Sequence, residues 1–380
     1  MRTNSTPLAE ILAEQIKSRG RITFAEYMEA CLYHPQFGYY TRADQSERRD
    51  YITSVDVTPL FGRLLARQFH EMWTLLGRPQ PFALVEAGAG TGQLAKHILD
   101  CARESLGEFY AAIRYVAVER STVRRTAQAT NLASHIANGR FCFSEELPVE
   151  ISRGCIFSNE FFDAFAVHRV VMEKAELREI YVTHGKDGFS EELGPLSSSA
   201  ISEYFDAQGI ILREGQMAEV NLAACNWIEE AARRLHRGFL LTVDYGREAQ
   251  QLYDERHIRG TLLAYDRHRA SEEFYRAPGA QDLTSHVNFT ALDLWGHRCG
   301  LMRSGFTSQT NFLLSLAKHS NFDDIENPSL SEHDKTAARS LFKTLIHPEG
   351  MGETFRVLVQ HKGLLEKETE GLRLAGFDPL

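Results

Sequence analysis

The sequence predicts an α/β protein built on a Rossmann-type, doubly wound parallel sheet. Three observations predict it. First, the stretch Phe82-Ala83-Leu84-Val85-Glu86-Ala87-Gly88-Ala89-Gly90-Thr91-Gly92-Gln93-Leu94-Ala95 reads as a buried strand, a glycine turn and a helix. Second, short apolar runs ending in acidic or amide residues recur beyond it. They are Tyr115–Val118 before Glu119, Cys155–Phe157 before Ser158-Asn159-Glu160, and Phe239–Val243 before Asp244. Third, helical patterns separate these runs, the alternation that builds parallel sheets.

In chain order, Pro7 to Arg19 is an amphipathic helix with Leu8, Ile11, Leu12 and Ile16 on one face and Gly20 as its stop. Thr23-Phe24-Ala25-Glu26 is a capping box that opens a second helix. The aromatic, turn-rich Tyr33–Tyr40 follows, then a charged loop from Arg42 to Asp50 and Tyr51-Ile52-Thr53-Ser54. Thr58 caps a helix with Pro59 at its first position, running to about Leu76. A third, weaker strand lies near Phe141–Phe143. Nearly 80 residues part the fourth strand from the fifth, far more than a crossover needs, so an insertion is expected there. It carries strand-like Val167–Val171 and Arg178–Thr183, then helices near Ser198–Ala207 and Glu219–Leu235. Arg247 to His286 reads as a long polar loop. Sixth and seventh strands are expected near Met302–Ser308 and Phe355–Gln360. The domain expectation is an N-terminal helical and lid segment (1–78), a core (79–165 and 239–380), and an inserted substrate-side subdomain (166–238).

Composition bounds function. The chain has 380 residues, 43% hydrophobic and 24% charged, ordinary for a globular protein with a real core. Its net charge of −9 gives no basic field for nucleic acid. The six cysteines are scattered with no C-x-x-C pair, which points away from zinc or disulfides. No apolar run is long enough to span a membrane, and Met1 to Glu14 lacks a signal core or an Arg-rich presequence. A cytoplasmic, bacterial protein is the expectation. The oligomeric state is not legible.

Gly88, Gly90 and Gly92 remove side chains where the chain turns sharply and where a ligand can touch backbone. The third glycine falls too early for a dinucleotide fingerprint, which disfavours a nicotinamide-dependent oxidoreductase. With Glu86 the pattern is E-x-G-x-G-x-G, the form of Rossmann-type S-adenosyl-L-methionine (SAM) methyltransferases. Glu119, at the second strand's end, can accept hydrogen bonds from ribose hydroxyls. Ser144 and Glu145, just past the third strand, are candidates for an adenine contact. Asn159, Glu160 and Asp163 follow the fourth strand. Glu160 and Asp163 are three apart, so on a helical turn their carboxylates would project together. Such a pair suits a general base or a clamp for a cation; no third acidic ligand stands close enough in sequence to favour a metal. Asp282-Leu283-Thr284-Ser285-His286 offers a further base or substrate contact in His286. Tyr39, Tyr40, Thr53 and Ser54 suit a lid, and His168 reads as structural.

Taken together, several stretches resemble one family, the MidA-type SAM-dependent methyltransferases, which includes a mitochondrial complex I assembly-factor methyltransferase. They include Tyr33-His34-Pro35…Gly38-Tyr39-Tyr40, Tyr51-Ile52-Thr53-Ser54, Glu86–Gly92, Val118-Glu119-Arg120-Ser121, Ser158-Asn159-Glu160-Phe161-Phe162-Asp163-Ala164, Asp244-Tyr245-Gly246, Gly260-Thr261-Leu262 and Asp282–Val287. The resemblance implies a seven-strand, class I methyltransferase sheet and SAM as cofactor. It also implies methylation of an arginine in a protein substrate, a respiratory-chain subunit for the mitochondrial members. The residues alone leave two alternatives open, a small-molecule N- or O-methyltransferase and a non-catalytic assembly chaperone on a SAM fold.

Overall fold

A computed structural model describes residues 6–42, 58–266, 269–326, 331–348 and 350–379. Thr53 and Ser54, and the charged segment after Arg42, lie outside the described residues. The chain divides into two compact units.

One unit comprises Ile52–Phe161, Glu229–Tyr245 and Gly296–Leu380. Its sheet contains β1 (Phe82–Ala87), β2 (Ile113–Val118), β3 (Phe141–Ser144), β4 (Gly154–Asn159), β5 (Gly238–Arg247), β6 (Met302–Ser308) and β7 (Phe355–Lys362). The spatial order is β6-β7-β5-β4-β1-β2-β3. β1 to β5 run parallel, and β7 is antiparallel to both β5 and β6, so the sheet is mixed. The order reverses direction between β1 and β4. That is a topological switch point, where a crevice opens at the carboxyl ends of the strands. Register places Ala87 opposite Val118 on one side and Ser158 on the other, which brings the glycine turn, Glu119 and Asn159 to the same end.

Burial explains why these elements form. Phe82, Leu84, Tyr115, Phe157, Phe239 and Leu241 are buried in the strands, as a sheet covered on both faces requires. The helix Leu60–Leu75 sets Phe61, Leu64, Leu65, Phe69, Met72 and Trp73 against this core, and Gln93–Ser105 adds Ala95, Ile98 and Leu99. The Thr58 hydroxyl accepts a hydrogen bond from the Leu60 N–H at 3.2 Å, but Pro59 stays outside the helix, which begins one residue later than expected.

The other unit comprises Met1–Tyr51, Phe162–Ile228 and Gly246–Trp295. An antiparallel sheet runs Ile22–Thr23, Glu176–Gly185, His168–Glu173, Met217–Val220, with Gly188–Gly194 also paired to Glu176–Gly185. The helices Pro7–Arg19 and Phe24–Tyr33 contribute Leu8, Leu12, Ile16, Phe24, Tyr27 and Met28 to a core shared with Val167, Val182, Leu262, Ala264, Phe274 and Leu283. The capping box at Thr23 and Glu26 is present.

The helices Pro7–Arg19 and Phe24–Tyr33, residues 162–228 and residues 246–295 fall in one unit and the helix Leu60–Leu75 in the other, and within each unit apolar faces far apart in sequence cover one another. Three expectations are corrected. Glu219 is in a strand, not a helix: Met217–Val220 pairs antiparallel with His168–Val171 before the helix Leu222–Arg234 starts. Arg247 to His286 is not an open loop: Leu263–Asp266 pairs with Arg269–Ser271 and Asp282–Thr284. Val287–Asn288 pairs in parallel with Gly246 and Arg247, which brings the principal sheet to eight strands rather than seven. Among the described residues, no helix is long and apolar enough to cross a membrane.

Candidate active site

Gly88, Gly90 and Gly92 all adopt left-handed backbone, at φ +70°, +52° and +78°. Each angle favours glycine, but the surroundings differ. A Cβ at Gly88 would lie 2.6 Å from the Phe161 ring, and one at Gly92 would lie 2.7 Å from Leu132. A Cβ at Gly90 would meet nothing within 4 Å. The outer glycines are therefore required by packing, whereas Gly90 presents bare backbone to open space. That is the cradle a cofactor lying on the turn needs.

The turn is held from several sides. The N–H groups of Gly88 and Ala89 both donate to the Val118 carbonyl, at 3.0 and 3.2 Å. Gln128 Nε2 donates to the Gly90 carbonyl at 2.7 Å, and Asn131 Nδ2 donates to that of Thr91 at 3.0 Å. Both side chains come from the helix Thr122–Asn131, which Ser121 caps. Sequence reasoning missed them. Their three-residue spacing on one helix face was the available signal.

Two carboxylates flank the turn. Glu86, near the end of β1, is 3% exposed and accepts a hydrogen bond from the Tyr115 hydroxyl at 2.5 Å. Burial pushes its carboxyl up to about 8; the Tyr115 hydrogen bond opposes that rise and nearby Glu119 adds to it. Glu119 Oε2 accepts from the Gly90 N–H at 3.0 Å, and its Oε1 accepts from the Ser121 N–H at 2.8 Å. Ser144 holds Glu119 through backbone, since the Glu119 N–H donates to the Ser144 carbonyl at 2.9 Å. The Ser144 hydroxyl is turned to the Glu146 carbonyl, at 2.7 Å. Glu145 is exposed and pairs with Arg125 at 2.6 Å.

At the end of β4, Glu160 has φ +51°, a left-handed conformation that a non-glycine residue adopts only under constraint. Two backbone bonds impose it. The Glu160 N–H donates to the Val243 carbonyl at 3.0 Å, and the Phe161 N–H donates to Asp244 Oδ2 at 3.0 Å. Asp244 is fully buried. The sequence marks Asp244 as the acid at this strand's end but does not give it this role. Asn159 Nδ2 donates to Glu160 Oε1 at 3.0 Å, while the buried Asn159 Oδ1 has no hydrogen-bond partner among the described residues.

The helical pairing expected for Glu160 and Asp163 is not formed. Left-handed backbone at Glu160 is incompatible with a right-handed helix start, and residues 160–166 run as bends and a turn. Asp163 falls in the other unit, 1% exposed, on a turn closed by the Phe165 N–H to the Phe162 carbonyl. His286 lies in that unit too. Its N–H donates to Thr261 Oγ1 at 3.1 Å, and the residue lines a cavity of about 320 Å³ with Thr261, His257 and Arg259. Burial, then the charges of Arg247 and His257, push its imidazole down to about 4. Tyr40 donates to both carboxylate oxygens of Asp282 at 3.0 Å. His168, read from the sequence as structural, hydrogen-bonds buried Glu179 at 2.8 Å.

The sequence profile of a family described as S-adenosyl-L-methionine-dependent methyltransferases matches residues 64–307. The chain belongs to this family. Its cofactor is SAM, and the bare turn at Gly90 beside Glu86 and Glu119 fits such a ligand. A Burkholderia thailandensis protein solved with S-adenosyl-homocysteine is 30% identical, with a TM-score of 0.85 over 97% of this chain and 94% of that one. The mitochondrial protein arginine methyltransferase NDUFAF7 homolog of Drosophila melanogaster is 27% identical over 97% of this chain and 88% of its own. The human mitochondrial protein arginine methyltransferase NDUFAF7 is 27% identical over 94% and 85%. Among the described residues, no group of three or more His, Cys, Asp or Glu side chains could hold a metal ion.

Proposed function

We propose that this methyltransferase modifies an arginine side chain of a partner protein. The observation that carries the reading is Glu160, a carboxylate held in constrained backbone at the carboxyl end of β4, beside the switch point. The arginine identity is supported by the mitochondrial relatives, which are protein arginine methyltransferases. The resemblance extends the proposal to a role in assembling a respiratory complex.

SAM supplies an electrophilic methyl group on its sulfonium. The proposed holders of the cofactor are the backbone at Gly88, Gly90 and Gly92 with Glu86, Glu119, Ser144 and Glu145; Thr53 and Ser54, outside the described residues, are proposed as cofactor contacts as well. Ser144 serves through its backbone in this reading, because its hydroxyl and the Glu145 carboxylate already have protein partners.

A guanidinium is protonated and unreactive until a proton leaves it. Glu160 is proposed to accept that proton and to orient the group, with Asn159 fixing one carboxylate oxygen. Asp163 is proposed as a second carboxylate for the guanidinium. His286, the third candidate, is proposed as a substrate contact.

The test is to incubate the protein with labelled SAM and a cell extract and to identify labelled products by mass spectrometry. Methylated arginine in a discrete protein is expected. Label confined to small molecules, or to lysine and carboxylate groups, would overturn the proposal.

A further inference from the structure

Three consecutive backbone carbonyls around Asp163 are each held by a different part of the same unit. The Phe162 carbonyl accepts from Asn221 Nδ2 at 3.2 Å. The Asp163 carbonyl accepts from the Ser285 N–H at 3.1 Å. The Ala164 carbonyl accepts from the Tyr33 hydroxyl at 2.9 Å. The three residues are 0%, 1% and 7% exposed, so these carbonyls have little access to water.

The donors are themselves fixed. Tyr33 is the last residue of the helix Phe24–Tyr33, and its ring stacks on Tyr40 at 5.6 Å. Tyr40 in turn grips Asp282, three residues before Ser285. Asn221 Oδ1 accepts from the Ala224 N–H at 2.8 Å, so its amide is oriented by the start of the following helix. The turn itself is closed by one bond, from the Phe165 N–H to the Phe162 carbonyl at 3.2 Å. Three in succession, from segments near residues 33, 221 and 285, define the direction in which the Asp163 side chain leaves the backbone.

We infer that Tyr33 and Asn221 are positioning residues that act through Asp163. The inference rests on the reading of Asp163 as a carboxylate for the substrate guanidinium, and it gives the Tyr33 and Asp282–Ser285 motifs a shared task. A carboxylate that must meet a planar cation loses rate steeply when displaced by about 1 Å. Neither Tyr33 nor Asn221 needs to touch substrate for its loss to be felt.

The test is a double-mutant cycle on transfer of label from SAM to extract protein, with SAM affinity by calorimetry and melting temperature recorded for each variant. Tyr33→Phe removes the hydroxyl and keeps the ring. It should lower kcat by roughly three- to tenfold with KM for SAM unchanged. In an Asp163→Asn background, Tyr33→Phe should change the rate by less than about twofold, because the group it positions is already lost. Asn221→Asp, which keeps the acceptor for Ala224 and removes the donor to Phe162, should show the same non-additivity. Losses that multiply, or full activity in Tyr33→Phe, would overturn this inference while leaving the role of Asp163 intact. Full activity in Asp163→Asn would overturn the role of Asp163 and this inference together.

Discussion

Glu119 reaches back to the glycine turn and accepts the Gly90 N–H at 3.0 Å, at the one of the turn's three glycines whose Cβ would meet nothing within 4 Å. The carboxylate proposed for the ribose and the backbone proposed to lie beneath the cofactor are thus a single hydrogen-bonded unit. Glu119→Ala is expected to weaken SAM binding by about 1.5–3 kcal/mol, the range for hydrogen bonds to a charged group. It should also lower the melting temperature, since the N–H groups of Gly90 and Ser121 lose their acceptor. Calorimetry showing a loss below about 0.5 kcal/mol would return Glu119 to a structural brace.

The three glycines should separate binding from folding. Gly90→Ala carries only the left-handed backbone penalty, about 1–2 kcal/mol, and should keep a folded protein whose SAM affinity falls by about tenfold or more. Gly88→Ala and Gly92→Ala add collisions with Phe161 and Leu132 and should destabilise by about 2–4 kcal/mol. Thermal melts with and without SAM check this. Undiminished affinity in Gly90→Ala would sink the assignment of the site to this turn.

Glu86 makes stability depend on pH. Its carboxyl is raised to about 8 in the folded chain by burial, whereas an unfolded glutamate titrates near 4.5. Between those values the folded protein holds a proton that the unfolded chain has released. The contribution is therefore fully present below about pH 4.5 and is lost as pH rises towards 8, with a slope of up to about 1.4 kcal/mol per pH unit. Glu86→Gln should flatten this window and be tolerated at neutral pH. Urea melts at pH 5.5, 7 and 8.5 read the slope; identical slopes in the two proteins would contradict the assignment.

Glu160→Gln should retain SAM affinity and lose about a hundredfold or more of methyl transfer, because an amide orients but does not accept the proton. Asp163→Asn should fall in the same direction with a smaller loss. Full transfer in Glu160→Gln would remove Glu160 from the mechanism.

Much of the candidate site was legible because its signals are local. Three glycines within five residues, an acid at a strand end and a capping serine each constrain the backbone beside them. The structure returns all of them within a residue or two. The parts that were misread depend on distant partners. The i, i+3 spacing of Glu160 and Asp163 suggested one helical face, but spacing carries a face only if the backbone is helical. A hydrogen bond from Phe161 to Asp244, 83 residues on, helps hold the backbone out of a helix.

By itself the sequence determined the alternation of strands and helices in the parallel core, the glycine turn with Glu86 and Glu119 at adjacent strand ends, and membership of a methyltransferase family. Hydrophobic period, turn chemistry and short motifs are properties of neighbouring residues. Only the tertiary structure decided that the first two helices, residues 162–228 and residues 246–295 form one unit, and that Gly90 alone of the three glycines is open. It alone decided, too, that Tyr33, Asn221 and Ser285 hold the turn of Asp163. The reason is physical. Which apolar faces cover one another, and which donor reaches which buried carbonyl, depend on how the whole chain satisfies its buried groups at once. No local window of residues contains that information.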